Sequence, residues 1–495
     1  MVENFKSFIT EAKDEKYKLL IISHDDPHDP NETGALIRKK AQELGLEVYL
    51  AEFSGMYMED EGNNQLIYSF PVNDEGQAKF PSPSEPVEYD KPFKINPSDT
   101  LIMARGLGSS VKTGSRSWQV AIQNLENQGY AVINSTKCND ICNDKWYNQI
   151  IFQQNNFRTP NTVLVRHEEG AETAAEKLNN KFPMILKTSV GSRGVGVMWI
   201  ESLKSLHSIV QLLYRENKFV DIILQEYIKT DFDVRVIVVG DKILGAIKRP
   251  IVHEDFRSNV SQGSDPEPIK LTELESKEAL RAAKVVDGTI VGVDFIPAKN
   301  REKDSPYFLE VNSTPGLMGI ESVLSKSAAK PHEKNMPGIV IKGEGKSITT
   351  QILKMFMDRT IWKRSPIICG VFEIFEHDVF GKIVGEMDTG NSSPQSVIHA
   401  DSYEINNKKI TMSFDGKKIT TPMFGKYTVS TGAGEEERPI IKLDLLFNNI
   451  LYKAFPLTID DRTGRIPKLL INRGFLNQAN LLVNPSRKFI LSEDP

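Results

Sequence analysis

Blocks of apolar and polar positions change character twice along the chain. Lys18–Ser23 is an apolar run of strand length. Residues 31–44 carry apolar side chains at helical spacing, and Glu47–Glu52 reads as a second strand, so the chain opens as β-α-β. Residues 73–97 are polar and contain Pro, which predicts an excursion loop or irregular hairpin. Regular pattern resumes with a strand at 100–105, a helix at 117–128 and a short strand at 131–134. From about 141 to 360, strands and helices alternate cleanly. Strands are predicted at 184–188, 197–201, 234–239, 242–248, 291–296 and 307–312, and helices at 203–216, 274–287 and 348–360. Gly240-Asp241 between two apolar runs signals a tight hairpin, because it supplies the positive φ such a turn needs. The polar stretch 326–346 reads as a mobile connection. After about 365 helical periodicity nearly vanishes, and short apolar runs at 367–374, 382–387, 396–400, 408–414, 418–422, 438–446 and 451–458 predict an all-β module.

Composition narrows the class. A chain of 495 residues corresponds to about three domains, and 39% hydrophobic with 26% charged residues is ordinary for a globular protein. The 61 Lys and Arg against 66 Asp and Glu give a net charge of -5, so the basic excess of a general nucleic-acid binder is missing. Three cysteines do not make a disulfide framework at this length, which favours a reducing compartment. No apolar run reaches the roughly 18 residues of a membrane span, and Met-Val-Glu-Asn-Phe-Lys lacks a signal design. The expectation is a cytoplasmic, soluble, multidomain protein with no nucleic-acid or membrane partner.

Candidate chemistry concentrates in the middle segment. Lys187 ends a strand, and Gly191-Ser192-Arg193-Gly194-Val195-Gly196 follows; a glycine-rich turn with a nearby lysine either cradles phosphates or is a plain turn. Gln225-Glu226-Tyr227-Ile228 ends another strand and is either an adenine edge or an ordinary exposed strand end. Glu310 and Asn312, two apart on a strand, share a face. With Asp294 from a neighbouring strand they form a hard oxygen site suited to Mg²⁺, the alternative being a solvated strand face. Arg235 and Lys248-Arg249 sit on the two arms of one hairpin, with Asp233 beside them and Arg257 and Asn259 in the loop beyond. They form a clamp for phosphate and carboxylate or a surface charge cluster.

In this order and spacing the motifs resemble the ATP-grasp superfamily, and more closely the RimK-type glutamate ligases, over about residues 134–320. The strings that carry the resemblance are Asn143-Asp144-Lys145, Lys187, the loop 191–196, Gln225 to Ile228, Asp233-Val234-Arg235, Asp255-Phe256-Arg257-Ser258-Asn259, Gly292-Val293-Asp294, and Glu310-Val311-Asn312-Ser313-Thr314-Pro315-Gly316-Leu317. The resemblance implies two subdomains gripping ATP, preceded by an α/β substrate domain. It implies that Lys145, Lys187 and the loop with Gly191, Ser192, Gly194 and Gly196 meet the phosphates, that Gln225, Glu226, Tyr227 and Ile228 line the adenine, and that Asp233 lies on the nucleotide side. Asp294, Glu310 and Asn312 would hold Mg²⁺, usually two ions, with Mn²⁺ as a substitute. Arg235, Arg249, Arg257 and Asn259 would position γ-phosphate, acyl phosphate and acceptor. Where these ligases usually show Glu-Arg-Arg, this chain has Lys248-Arg249-Pro250, which changes the charge of a substrate-side strand.

The last segment carries Asp388-Thr389-Gly390 after an apolar strand, and Leu469-Leu470-Ile471-Asn472-Arg473-Gly474 downstream. That pairing resembles a retropepsin-like fold of the RimB type, with Asn391 and Asn472 departing from the family's Ala and Gly. A single Asp-Thr-Gly implies that two chains pair so that two Asp388 carboxylates meet, a homo-oligomer of two or more chains; residues 432–437 would be a flap. The expected organisation is thus α/β and α+β: an N-terminal α/β (pre-ATP-grasp) domain over 1–140, an ATP-grasp two-subdomain ligase domain over 141–345, a helix and linker over 346–364, and a retropepsin-like all-β barrel over 365–495. The expected function is an ATP-dependent ligase joining an amino acid, such as glutamate, to a peptide or protein. The alternative is an aspartic-type peptidase or peptide-binding protein whose ATP-grasp part is regulatory.

Overall fold

The computed structural model describes residues 17–23, 32–52, 56–61, 64–69, 91–97, 99–105, 117–188, 196–216, 220–251, 266–327, 347–358, 361–362, 367–431, 434–448, 450–464, 467–479 and 481–492. The chain forms two compact units, one of Lys16–Asp60 with Asn64–Lys363 and the other built on Arg364–Pro495. Among the described residues no helix is long and apolar enough to cross a membrane.

The first unit begins with a parallel sheet in the order Glu47–Glu52, Lys18–Ser23, Thr100–Ala104, Ala131–Ile133. Its central strands are apolar on both faces, as strands covered on both sides must be. Leu19, Ile21, Leu101, Met103 and Ile133 point into one core with Ile37 and Ala41 of helix Glu32–Glu43. Leu20, Ile22, Ile102 and Val132 point into another with Ile122 and Leu125 of helix Ser117–Asn127. The polar region expected to be loop contains a strand, Phe93–Ile95, paired antiparallel with Asn64–Tyr68, which also neighbours Tyr57–Glu61 in a small sheet. Its regularity comes from pairing across the excursion, which local composition does not encode; residues 70–90 lie outside the described set.

Two antiparallel sheets follow. One orders Val197–Ile200, Met184–Thr188, Ile222–Glu226 and Thr162–Val165, and shares a core with helices Gly170–Lys177 and Leu203–Glu216. The other orders Glu267–Pro268, Lys242–Pro250, Phe232–Val239, Ile290–Ile296 and Tyr307–Asn312. Period-two alternation sorts this second sheet. Val234, Val236, Val238, Val291, Val293, Phe295, Phe308 and Val311 enter a core shared with helix Glu273–Val285, which opens with a capping box between Thr272 and Glu275. Ile237, Val239, Ile247 and Ile290 point the opposite way, into a core with helix Ile348–Met357. Asp233, Arg235, Arg249, Asp294, Glu310 and Asn312 continue that second face toward the strand ends. Lys326, expected in a connection, lies in helix Met318–Ser327; residues 328–346 are outside the described set.

In the second unit a seven-stranded sheet runs Phe372–His377, Gly381–Met387, Leu469–Ile471, Ser396–His399, Ile450–Asp460, Gly434–Phe447, Gly425–Thr431, and Phe372–His377 also pairs with Gly434–Phe447 to close a barrel. Leu469–Ile471 runs parallel to Gly381–Met387 and antiparallel to Ser396–His399. A three-stranded sheet of Ser402–Asn406, Lys409–Phe414 and Lys417–Pro422 and a parallel pair of Ile367–Gly370 with Leu481–Asn484 complete it. The predicted run 367–374 is two strands, divided at Val371. Helix Arg473–Gln478, where only strands were expected, starts because Asn472 caps it, its Oδ1 accepting from Phe475 N at 3.0 Å. Of the expected flap, Gly434 to Glu437 are strand residues paired with Thr428 to Thr431, and residues 432–433 lie outside the described set.

Candidate active site

Strand pairing assembles the charged face of the five-stranded sheet. Asp233 stands opposite Arg249, Arg235 opposite Asp294, Asp294 opposite Glu310, and Gly292 opposite Asn312. Arg249 forks onto Asp233, with Nε to Oδ1 at 2.7 Å and Nη2 to Oδ2 at 2.6 Å, and its Nη2 also lies 3.2 Å from Asp294 Oδ2. Arg235 forks onto Asp294 with Nε to Oδ1 at 2.8 Å and Nη2 to Oδ2 at 2.5 Å. The chain of alternating charge runs Asp233, Arg249, Asp294, Arg235. Asp233, Arg249 and Asp294 are buried. Burial alone would raise the Asp294 pKa, but the fields of Arg235 and then Arg249 outweigh it and hold the carboxyl below its ordinary range. Burial likewise works against the Arg249 charge, and Asp294 and Asp233 more than restore it.

Asn312 bridges the two acids, its Nδ2 donating to Glu310 Oε1 at 3.2 Å and Asp294 Oδ2 at 3.4 Å. A metal takes the amide oxygen, so ligation requires this side chain to rotate end for end. Two carboxylates and an amide are oxygen donors of the kind Mg²⁺ uses, and in that respect the residues fit the ion. Among the described residues no group of three or more His, Cys, Asp and Glu side chains gathers as a metal cage; this set has two acids.

Two lysines complete the cluster. Lys145 opens helix Lys145–Gln154, capped by the preceding Asp144, whose Oδ1 accepts from Trp146 N and Tyr147 N. Its Nζ donates to Thr188 O at 3.3 Å. Lys187, near the end of its strand, donates to Gln225 Oε1 at 2.8 Å, and Gln225 Nε2 donates to Thr162 Oγ1 at 2.9 Å. Burial pushes both ammonium groups below the usual lysine range, and Glu310 pulls both upward. Such cations are partly stripped of water and gain most from an incoming polyanion. Gly196 returns the turn at φ +81°, and a side chain there would collide with Thr188 Oγ1. Gly191, Ser192, Gly194, Arg257 and Asn259 lie outside the described residues.

Some expected site residues are engaged elsewhere. The carboxylate of Glu226 is held by Asn161 Nδ2 at 2.7 Å and Lys181 Nζ at 3.3 Å. Tyr227 packs edge-on against Trp199, ring centres 4.8 Å apart. Asp233, expected on the nucleotide, is committed to Arg249.

Two residues the motifs did not single out, Asn134 and Asn148, hold the cluster together, and a third, Arg105, reaches the loop beyond it. Buried Asn134 donates from Nδ2 to Ile290 O at 2.8 Å and to Ser313 O, and its Oδ1 accepts from Thr289 N and Ile290 N at 2.8 and 3.1 Å. It sews the end of the parallel sheet to the strand and loop that carry Asp294 and Asn312. Asn148 donates to Val311 O at 3.2 Å, between the two predicted ligands. Arg105 donates from Nη2 to Pro315 O at 3.0 Å. The sequence signal available for Arg105 was a lone cation directly after the apolar run Leu101–Ala104.

In the second unit Asp388 N donates to Ile471 O at 3.0 Å, so its turn sits on the parallel pair Gly381–Met387 and Leu469–Ile471. Its Oδ1 accepts from Gly390 N at 2.9 Å and Asn391 N at 3.1 Å. Asn472 donates to Ser393 O at 2.7 Å and ties the downstream motif to this loop.

Residues 142–331 match the family described as RimK-like ATP-grasp domain. The probable alpha-L-glutamate ligase of Stutzerimonas stutzeri (strain A1501) is 38% identical over 155 residues, 31% of this chain and 50% of that protein. The probable alpha-L-glutamate ligase of Pseudomonas savastanoi pv. phaseolicola is 39% identical over 152 residues, 30% of this chain and 48% of that one. The chain thus spans about half the length of the curated relatives it matches. A solved structure of the ATP-grasp ligase PsnB complexed with minimal precursor aligns over 70% of this chain and 99% of its own at 16% identity, with a TM-score of 0.45.

Proposed function

We propose that the chain is an ATP-dependent carboxylate–amine ligase that forms an amide through an acyl phosphate, adding glutamate or another amino acid to a peptide or protein end. The observation that carries this reading is that Asp294, Glu310 and Asn312 gather on one face of the five-stranded sheet while the charge of Glu310 acts on Lys145, from a helix start, and on Lys187, from the four-stranded sheet, all within the segment that matches a RimK-like ATP-grasp domain. In this scheme a substrate carboxylate oxygen attacks the γ-phosphorus of ATP and ADP leaves. An amine then attacks the acyl carbon, phosphate departs, and the amine loses a proton. No covalent enzyme nucleophile is needed; the protein's contribution is positioning and charge complementarity.

Lys145 and Lys187 would neutralise the transferring phosphate, and their weak hydration makes them effective there. Gln225 orients Lys187. Asp294, Glu310 and Asn312 would hold Mg²⁺, which when bound screens phosphate charge. Arg235 and Arg249 fix the Asp294 carboxylate, a positioning role, since both are already spent on carboxylates. The test is ADP release by the purified full-length chain with Mg-ATP and a panel of amino acids and peptides, with products weighed by mass spectrometry. Amide products formed one for one with ADP support the reading; a folded protein that releases no ADP with any pairing overturns it.

A second reading concerns the barrel. A carboxylate held by two backbone N–H groups in an Asp-Thr-Gly turn is the arrangement that a water-activating aspartate dyad needs, with Asp388 of a second copy supplying the other acid. Peptide hydrolysis lost in Asp388→Asn, together with a dimeric mass in solution, supports it. A monomer that hydrolyses peptides, or a dimer that does not, removes it.

A further inference from the structure

The topology of the parallel sheet singles out one crevice. From strand Lys18–Ser23 the chain moves to Glu47–Glu52 on one side and later to Thr100–Ala104 and Ala131–Ile133 on the other. The connections therefore diverge between Lys18–Ser23 and Thr100–Ala104, and the carboxyl edge at such a divergence is where open α/β sheets bind ligands. Arg105 is the first residue past that edge. Its N–H closes the gap by donating to Ile22 O at 2.7 Å.

The Arg105 side chain is 8% exposed. Nη2 donates to Pro315 O, while among the described residues Nε has no hydrogen-bond partner and no carboxylate pairs with this cation. Burial lowers its pKa to about 10, so it remains charged at neutral pH. The contrast within the unit is plain: Arg249, equally buried, forks onto Asp233 and reaches Asp294. A buried guanidinium with no counter-ion among the described residues is costly to keep for structure alone. It sits beside the proposed chemistry. Pro315 lies three residues beyond Asn312, its Cβ would stand 3.1 Å from a side chain placed at Gly292, and Gly292 pairs with Asn312. Thr33 Oγ1, from the helix after the first strand, accepts from Leu317 N at 3.2 Å and closes the same edge. Ser313 Oγ, also buried in this loop, has no hydrogen-bond partner among the described residues either.

We propose that Arg105 is the anchor for a carboxylate of the substrate, the α-carboxylate of a free amino acid or the C-terminal carboxylate of a peptide, at the divergence of the parallel sheet. A planar carboxylate matches the forked donors of a guanidinium and supplies the missing counter-charge. That the carboxylate belongs to a ligase substrate rests on the function proposed above; that the crevice binds a carboxylate does not.

Calorimetric titration of the full-length chain, saturated with Mg-ADP, tests it. The probes are L-glutamate, L-glutamate α-amide, a tripeptide with a free C-terminus and the same tripeptide amidated. At least one carboxylate probe binds, and its amide counterpart binds tenfold or more weakly; which pair responds tells amino acid from peptide. Arg105→Gln weakens the carboxylate probe tenfold or more and leaves ADP affinity unchanged, Arg105→Lys retains part of the binding, and ligand-free Arg105→Gln melts no lower than the parent. The proposal is overturned if neither carboxylate probe binds, if acid and amide bind alike, if Arg105→Gln binds the acid as the parent does, or if that variant melts lower and loses ADP binding, the mark of a structural arginine. Carboxylate binding that depends on Arg105 without any amide formation sinks the ligase reading alone.

Discussion

Asp294 and Glu310 stand opposite each other in the sheet, yet their removal should have different consequences. Asp294 is 2% exposed and carries the charge of both Arg235 and Arg249. Asp294→Ala leaves the Arg235 guanidinium without its carboxylate and Arg249 with Asp233 alone, and should cost about 3–5 kcal/mol of stability in addition to abolishing turnover. Glu310 is only half-buried and its described hydrogen bond is to Asn312. Glu310→Gln should abolish ATP turnover with a change in melting of roughly 1 kcal/mol or less. Denaturant titrations beside turnover assays of both variants check the contrast; equal stability loss would mean the arginines find other partners. The common face of Glu310 and Asn312 was legible from their spacing alone, because strand alternation is rigid. The pairing of Asp233 with Arg249 was not. A strict two-residue hairpin at Gly240-Asp241 sets Asp233 against Lys248, but the register shifts between Ile237 and Val238 and brings Arg249 into place. A bulge leaves no mark on the apolar pattern.

At the scale of elements, the site depends on how strands and loops are pinned. Asn134 makes four hydrogen bonds to the start of strand Ile290–Ile296 and the loop after Tyr307–Asn312. Asn134→Ala leaves several of these backbone groups without partners and should destabilise by roughly 3 kcal/mol, measurable by denaturant unfolding; a change under about 1 kcal/mol would show that the loops hold without it. In the barrel, buried His377 accepts from Val379 N and Phe380 N through Nδ1 and stacks on Phe380 at 4.6 Å. Burial pushes its pKa below the ordinary histidine value, while Asp378 and Asp444 oppose the shift. The unfolded chain therefore binds a proton at a pH where the folded one does not. Stability is lost as pH falls through the ordinary value of about 6.5 toward the folded value, at most ~1.4 kcal/mol per pH unit. Melting curves of the parent between pH 7.5 and about 5.5 should fall more steeply than those of His377→Gln; parallel slopes would contradict this. The short apolar runs did not include Gly425–Thr431 or Leu469–Ile471, but most other strands of the barrel were legible from them. Ser402–Asn406 was not, since all of its residues are exposed and only pairing with Lys409–Phe414 makes it regular.

At the scale of the molecule, the two units carry separate candidate chemistries, and the predictions separate with them. Asp388→Asn should leave ATP turnover within about twofold of the parent, since its contacts are to the barrel's own Ile471, Gly390 and Asn391; a tenfold loss in the ADP-release assay would mean that the units act as one. The change to all-β patterning near 365 was visible in the chain and coincides with the division at Arg364. What composition hid was the shared core of the first unit, where Leu19, Ile21 and Ile37 of the opening α/β segment pack in one cluster with Ile237, Leu244 and Ile352; contacts so distant in sequence have no local signature.

Carboxylate activation is tested most directly by oxygen transfer. With the acceptor's carboxylate carrying ¹⁸O, turnover with Mg-ATP should deliver one ¹⁸O to the inorganic phosphate released, because that oxygen attacks phosphorus before the amine displaces it. ADP and amide formed with phosphate free of ¹⁸O, or ADP formed with label only when the water is labelled, would contradict the account.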